Sequence, residues 1–143
     1  MVDEKSTKKH LDKSNKTWVK DGIIYVEVHD ALNLENVLKM EKGAMQLISD
    51  NHKEHMPIIL ILDKSDDNKA DLNIADFGKI VLGAGIIKHL SAISVVGAGK
   101  HVKKHLTIIN KLFLSNRVGF FDNIEEAETV SRDALSVDIS LLE

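Results

Sequence analysis

Residues 58–63, with the sequence IILILD, decide the class of fold of this chain. Five apolar residues in a row, preceded by Pro57 and followed by Asp63, have the length and composition of a strand buried on both faces of a sheet. A second apolar run at 90–97, LSAISVVG, predicts another buried strand. Strands of this kind belong to parallel sheets, so the sequence predicts an α/β protein.

Helical patterns alternate with these strands. Four segments carry helical patterns: 33–52, 74–88, 100–116 and 124–135. The third has a stripe with spacings of four, three and four residues, formed by Val102, Leu106, Ile109 and Phe113. A short strand is predicted at 117–121, between the last two helices.

A β-hairpin is predicted before the first helix. Asp21-Gly22 is a two-residue turn signal between two strand-like runs in residues 17–29. Side chains alternate across a strand, so two sets of residues should face opposite sides of the sheet. These sets are Ile24, Val26 and Val28 on one side, and Ile23, Tyr25 and Glu27 on the other.

The predicted order of elements is therefore ββαβαβαβα. It describes a mostly parallel sheet with an N-terminal hairpin and with helices packed on it. A single domain is predicted over residues 16–143, because the chain has only 143 residues. Residues 1–15 are polar and mixed in charge, and are predicted to be disordered.

The composition excludes several classes of function. The net charge is −3 and aromatic residues make up 4%, so neither an overall basic charge nor a stacking platform favours nucleic acid. There is no cysteine, which excludes disulfides and thiolate metal sites. No apolar run has the length of a membrane helix, and the N-terminus lacks the apolar region of a secretory signal. A cytoplasmic protein is expected.

The order of elements and two stretches of sequence resemble the STAS domain, the fold of bacterial anti-sigma-factor antagonists (SpoIIAA-like proteins). ILDKS at 61–65 is similar to the family's buried strand ending in Leu-Asp-Leu-Ser. INKLFLSNRVGFFDNIEEAE at 109–128 is similar to its final helix, strand and acidic helix start. The resemblance spans about residues 17–135 and is closer to a divergent group also compared with Sec14-type lipid-binding domains. It implies a non-catalytic binding module.

The chain departs from that family at the phosphorylation motif. The antagonists carry Asp-Ser-Ser/Thr-Gly at the start of the helix after the buried strand, and a partner kinase phosphorylates its serine. The corresponding stretch here, DLNIADFG at 71–78, has no serine or threonine. Ser65, nearer the end of the strand, is left as the candidate phosphorylation site.

The glycines at the start of the third helix do not form a nucleotide-binding motif. A Walker A loop needs four residues between its glycines and a hydroxyl after its lysine, and His101 follows Lys100 here. The structural interpretation is a strand-to-helix turn. The functional alternative is an anion site, since a helix N-terminus and nearby cations both attract anions. Its candidate residues are Gly97, Gly99, Lys100, His101 and Lys104.

Neither catalysis nor a metal site is predicted. His101 and His105 have the i, i+4 spacing of a metal-binding pair, but the adjacent lysines would repel a cation. The acidic loop that begins at Asp63 lacks the residue order of a calcium loop. No arrangement of nucleophile and base stands out. We therefore expect neither a cofactor nor an enzyme.

The helix predicted at 74–88 is apolar on almost all sides. Such a helix is either buried by the rest of its own chain or covered by a partner. As an interface with a second copy or another protein, it would use Phe77, Gly78, Val81, Leu82, Gly85 and Ile86. The expected function is a STAS-like interaction or regulatory module acting as a homodimer. The alternative is a binding domain for a small hydrophobic or anionic ligand such as a lipid.

Overall fold

The computed structural model describes residues 15–29, 34–63, 89–113 and 117–142. Within these ranges there are five strands: β1 (Lys16–Lys20), β2 (Ile23–Glu27), β3 (Met56–Ile61), β4 (Leu90–Val96) and β5 (Val118–Phe121). The same ranges contain three helices: α1 (Leu34–Asp50), α2 (Lys100–Phe113) and α3 (Ile124–Leu142). The helix predicted at 74–88 lies outside the described residues. The predicted α/β class is confirmed.

The strands form a mixed sheet in the order β1-β2-β3-β4-β5. β1 pairs antiparallel with β2, and each later strand is parallel to its neighbour. The hairpin turn lies at Asp21-Gly22 as predicted, with φ angles of 54° and 78°. Two consecutive positive φ angles are those of a type I′ turn, whose twist matches that of the flanking strands.

Helices cover both faces of the sheet. On one face, Ile24, Val26 and Val28 join a buried cluster with residues of α1 and α2, among them Ile48 and Ile109. On the other face, α3 contributes to a second, smaller cluster: Ile23, Tyr25, Ile59, Val96 and Ala127. The predicted alternation is therefore confirmed for the core residues, because Ile24, Val26 and Val28 belong to one cluster and Ile23 and Tyr25 to the other.

Pro57 lies inside β3, whereas the sequence predicted a strand that starts after it. The ladder between β3 and β4 explains why this proline is tolerated. Met56 pairs with Leu90 but Ile58 pairs with Ile93, so β4 has one extra residue opposite Pro57. Proline has no amide proton to donate, and an irregularity in the ladder is one of the few places where a sheet accepts it.

Helix α3 starts with a side-chain cap and is longer than predicted. The Asn123 side-chain oxygen accepts a hydrogen bond from the Glu126 backbone N–H at 2.9 Å. The Asn123 side-chain amide also donates to the Glu126 carboxylate at 3.2 Å, which helps to hold the capping side chain in place. The helix continues to Leu142, beyond the predicted end at 135. None of the helices in the described ranges is long and apolar enough to cross a bilayer.

Candidate functional site at the carboxyl edge of the sheet

An open cleft lies where the three adjacent parallel strands β2, β3 and β4 end. Its volume is about 500 Å³. The lining residues come from the ends of these strands and the residues just after them: Glu27, Val28, His29, Ile61, Leu62, Asp63 and Gly97. In open α/β sheets this edge is the usual place for a ligand, since the carboxyl ends of parallel strands meet there.

Position 97 requires glycine because two backbone segments approach each other closely in this cleft. The Leu62 N–H donates to the Val96 carbonyl at 2.8 Å, which brings the chain after β3 against the end of β4. Gly97 has a φ of +79°, and a Cβ at this position would lie 2.3 Å from the Leu62 carbonyl oxygen. Both facts require glycine here whatever the cleft binds. The strand-to-helix turn predicted for this glycine is what the structure contains.

The polar groups at the mouth of the cleft are mostly acidic. The His29 ring nitrogen Nε2 lies 2.5 Å from the Glu27 carboxylate, and both side chains are partly exposed. The His29 backbone N–H donates to the Asn15 side-chain oxygen at 2.9 Å, which holds this residue beyond the end of β2. Asp63 adds a second exposed carboxylate. These groups suit a ligand with hydrogen-bond donors or a positive charge.

The predicted anion-site residues are divided between the cleft and helix α2. Gly97 lines the cleft, and the Gly99 carbonyl accepts a hydrogen bond from the Lys103 N–H at 2.9 Å in the first turn of α2. Lys100 is the first residue of α2. The side chains of Lys100, His101 and Lys104 are exposed and do not line the cleft. Anion binding by these residues therefore remains a prediction for the outer face of α2.

The rings of His101 and His105 lie close together, and the His105 ring also contacts the backbone of its own helix. The His105 ring nitrogen Nδ1 lies 2.8 Å from the His101 carbonyl oxygen, within hydrogen-bonding distance. The two rings meet edge to face, with centroids 4.4 Å apart. In the described ranges, no three histidine, cysteine or carboxylate side chains come together in a way that could hold a metal ion.

Two further groups of predicted site residues lie outside the described residues. One is the candidate phosphorylation site Ser65. The other is the candidate interface on the predicted helix 74–88, formed by Phe77, Gly78, Val81, Leu82, Gly85 and Ile86. Both stay predictions from the sequence.

A second polar contact connects the β1–β2 hairpin to helix α3, on the face of the sheet opposite α1 and α2. The Tyr25 hydroxyl donates a hydrogen bond to the Glu128 carboxylate, across 103 residues of sequence. The indole of Trp18 stacks on the Tyr25 ring, with centroids 5.4 Å apart and planes within 2°. Burial, the hydrogen bond and the negative charge of Glu128 together raise the pKa of Tyr25 to about 12.

The raised pKa of Tyr25 predicts a loss of stability in alkali. Folding raises this pKa above the unfolded value near 10, so the native state holds the phenolic proton more tightly. The resulting stabilisation is complete below pH 10 and is lost as the pH rises through about 12. Tyr25→Phe should cost about 1–2 kcal/mol at pH 8, from the lost hydrogen bond. The difference from the natural protein should then shrink between pH 10 and 12.

This prediction has a direct spectroscopic check, because Tyr25 is the single tyrosine of the chain. Tyrosinate absorbance should titrate near pH 12 in the folded protein and near pH 10 in concentrated urea. Urea unfolding of the natural protein and of Tyr25→Phe at several pH values gives the stability difference. A folded-state midpoint near pH 10 would contradict both the burial of Tyr25 and its contact with Glu128.

Two groups of neighbouring residues were not predicted from the sequence. One is Glu27, His29 and Asn15, and the other is Tyr25 with Glu128. One signal was available for the cleft. Glu27 and His29 lie at the end of a predicted strand, and side chains at strand ends often line ligand sites in α/β proteins. A signal for the stacked pair was also available. A two-residue turn at Asp21-Gly22 puts Trp18 directly opposite Tyr25 in the hairpin.

Comparison with known proteins yields a likeness of fold. The sequence matches no family model. It also matches no curated protein. A solved NMR structure of the protein TM1081 is similar with a TM-score of 0.53 and 20% sequence identity, over 81% of this chain and 86% of that one. At this level of identity the likeness concerns the fold, and function has to be argued from the residues.

Proposed function

We propose that this chain is a non-enzymatic STAS-like (SpoIIAA-like) module that regulates through protein–protein interaction and acts as a homodimer. The observation that carries the proposal is where the family-like stretches fall. ILDKS at 61–65, which is similar to the Leu-Asp-Leu-Ser end of the family's buried strand, begins at Ile61, the last residue of β3. The stretch 109–128 covers the end of α2, strand β5 and the acidic start of α3.

The sheet supports the same proposal. An antiparallel hairpin followed by parallel strands agrees with the mostly parallel sheet and N-terminal hairpin that the resemblance implies. The missing hydroxyl in DLNIADFG means that the family's phosphorylation switch is not part of the proposal. The proposed regulation works through binding, with Ser65 as the candidate site of modification.

The cleft favours a second function, the binding of a small molecule. Its volume of about 500 Å³ is in the range of ligand sites in proteins. Glu27 and Asp63 favour a ligand that presents hydrogen-bond donors to the cleft. An anionic or lipid headgroup would instead bind at the outer face of α2, where Lys100 and Lys104 are exposed.

Native mass spectrometry of the purified untagged chain, with a denaturing control, tests both functions. A homodimer at twice the chain mass of 15.9 kDa, without additional mass, is the expected result. Additional mass that disappears on denaturation would favour the ligand-binding function and would give the size of the ligand. A bare monomer at micromolar concentration would contradict both the homodimer and a tightly bound ligand.

A further inference from the structure

The outer edge of strand β1 lies at the rim of the sheet that the described residues form. β1 pairs with β2 on one side, and no strand of the described ranges pairs with its other side. The two-residue turn makes Lys20 and Ile23 the closing hydrogen-bonded pair, and such pairs alternate along an antiparallel ladder. The N–H and C=O groups of Thr17 and Val19 therefore point away from β2, towards the open edge.

The side chains along this edge form an ordered surface on the α3 side of the sheet. Lys16, Trp18 and Lys20 share this side with their partners on β2, which are Glu27, Tyr25 and Ile23. The Glu27 carboxylate contacts His29 rather than Lys16. Trp18 is 37% exposed and is held flat by its stacking on Tyr25, which is itself bonded to Glu128. Both lysines are exposed. The ion pairs between described residues are His29 with Glu27 and Lys39 with Glu35, and they involve neither lysine. An aromatic platform thus lies between two positive charges.

This arrangement disfavours a second copy of the chain as the occupant. Two β1 strands paired antiparallel over all five residues would place Lys16 of each copy opposite Lys20 of the other. Like charges directly opposite each other destabilise a strand pair, and lysines on an edge strand commonly prevent sheets from joining. The same two charges would attract a strand that carries carboxylates at the matching positions.

We propose that the outer edge of β1 binds an extended acidic peptide of a partner protein as an added strand. The peptide's backbone would bond to Thr17 and Val19. The peptide needs five residues, with an acidic residue at the first and fifth positions and an apolar residue at the third. This pattern would place carboxylates opposite Lys16 and Lys20, and the apolar side chain opposite Trp18. This inference rests on the proposed interaction function and names the chemistry of its partner.

Trp18 is the only tryptophan of the chain, so its fluorescence reports on this edge directly. The probe is the capped peptide Ser-Glu-Thr-Val-Thr-Glu-Ser, with Ser-Lys-Thr-Val-Thr-Lys-Ser as its charge-reversed control. We expect a saturable change of Trp18 emission with the acidic peptide and none with the basic one. The double variant Lys16→Glu, Lys20→Glu should exchange this preference and bind the basic peptide.

A matched pair of variants separates strand addition from simple charge attraction. Thr17→Pro removes an outward N–H without removing a bond to β2, whereas Thr17→Val keeps the N–H and changes the side chain. Binding should weaken at least tenfold in Thr17→Pro and stay within twofold in Thr17→Val. Circular dichroism shows whether each variant is folded. If Thr17→Pro is not, the acidic peptide with N-methylated backbone nitrogens takes its place, because it keeps both carboxylates but cannot donate the hydrogen bonds of an added strand.

Several results would overturn the proposal. One is the absence of a saturable change at millimolar peptide. Another is equal binding by Thr17→Pro and the natural protein, which would show adhesion through charge alone. A homodimer that Thr17→Pro converts to a monomer in sedimentation would assign the edge to a second copy. A natural homodimer that fails to bind the peptide would overturn this inference and leave the proposed function standing.

Discussion

Gly97→Ala should lower the free energy of unfolding by about 2–5 kcal/mol, although it adds one methyl group. The left-handed backbone conformation at φ +79° costs a residue with a Cβ about 1–2 kcal/mol. The new Cβ would also lie 2.3 Å from the Leu62 carbonyl oxygen, so the backbone after β3 would have to move. Forced shifts of this kind in packed regions typically cost about 1–3 kcal/mol more.

Gly43→Ala is the matched control for this substitution. Gly43 lies in the middle of α1, and a Cβ there would meet nothing within 4 Å. Alanine is the better helix former, so this variant should be more stable than the natural protein by about 0.5–1 kcal/mol. Urea unfolding of the three proteins, compared at equal m-values, measures both changes. Equal effects of the two substitutions would show that Gly97 does not lie in a close backbone approach.

The expected effect at Gly97 bears on the function of the glycine loop. A phosphate-binding loop needs glycine so that its N–H groups can approach a ligand. Here the glycine is required by the protein's own chain, because Leu62 occupies the space next to it. Gly97 is therefore explained without a nucleotide. An anion site on α2 has to be argued from the helix N-terminus and the exposed lysines.

Local rules were sufficient to predict the hairpin and the faces of β2. The turn at Asp21-Gly22 determines the register between β1 and β2, and in this register Trp18 lies opposite Tyr25. The period of two then assigns Ile24 and Val26 to one core cluster and Ile23 to the other. All of this information lies within about ten residues of sequence, where propensity and turn chemistry act directly.

The cleft could not be predicted in the same way. Glu27, Asp63 and Gly97 come together because β2, β3 and β4 are adjacent, and a single sequence carries no record of strand order. The contact between Tyr25 and Glu128 joins residues 103 positions apart, so no local sequence pattern predicts it. The start of β3 was predicted wrongly at Pro57 for a related reason. The extra residue that accommodates the proline lies in the neighbouring strand, β4.

Ile109→Ala should destabilise the protein by about 3–4 kcal/mol. Ile109 is fully buried in the larger core cluster, where the predicted stripe of α2 meets the sheet through Val102 and Leu106. Removing three carbons from a packed site loses their transfer free energy and leaves a cavity that neighbouring side chains fill only in part. Proteins are typically stable by about 5–15 kcal/mol, so this change removes a large share. Thermal or urea unfolding measures it.

Ile108→Ala removes the same atoms from the adjacent residue and is the control. Ile108 is 38% exposed, so its truncation should cost less than about 1 kcal/mol in a monomer. Similar costs at both positions would mean that α2 packs on the sheet through a different face. A cost at Ile108 that rises with protein concentration has a different cause, since subunit association contributes to stability by mass action. That result would place this side of α2 in the proposed homodimer interface.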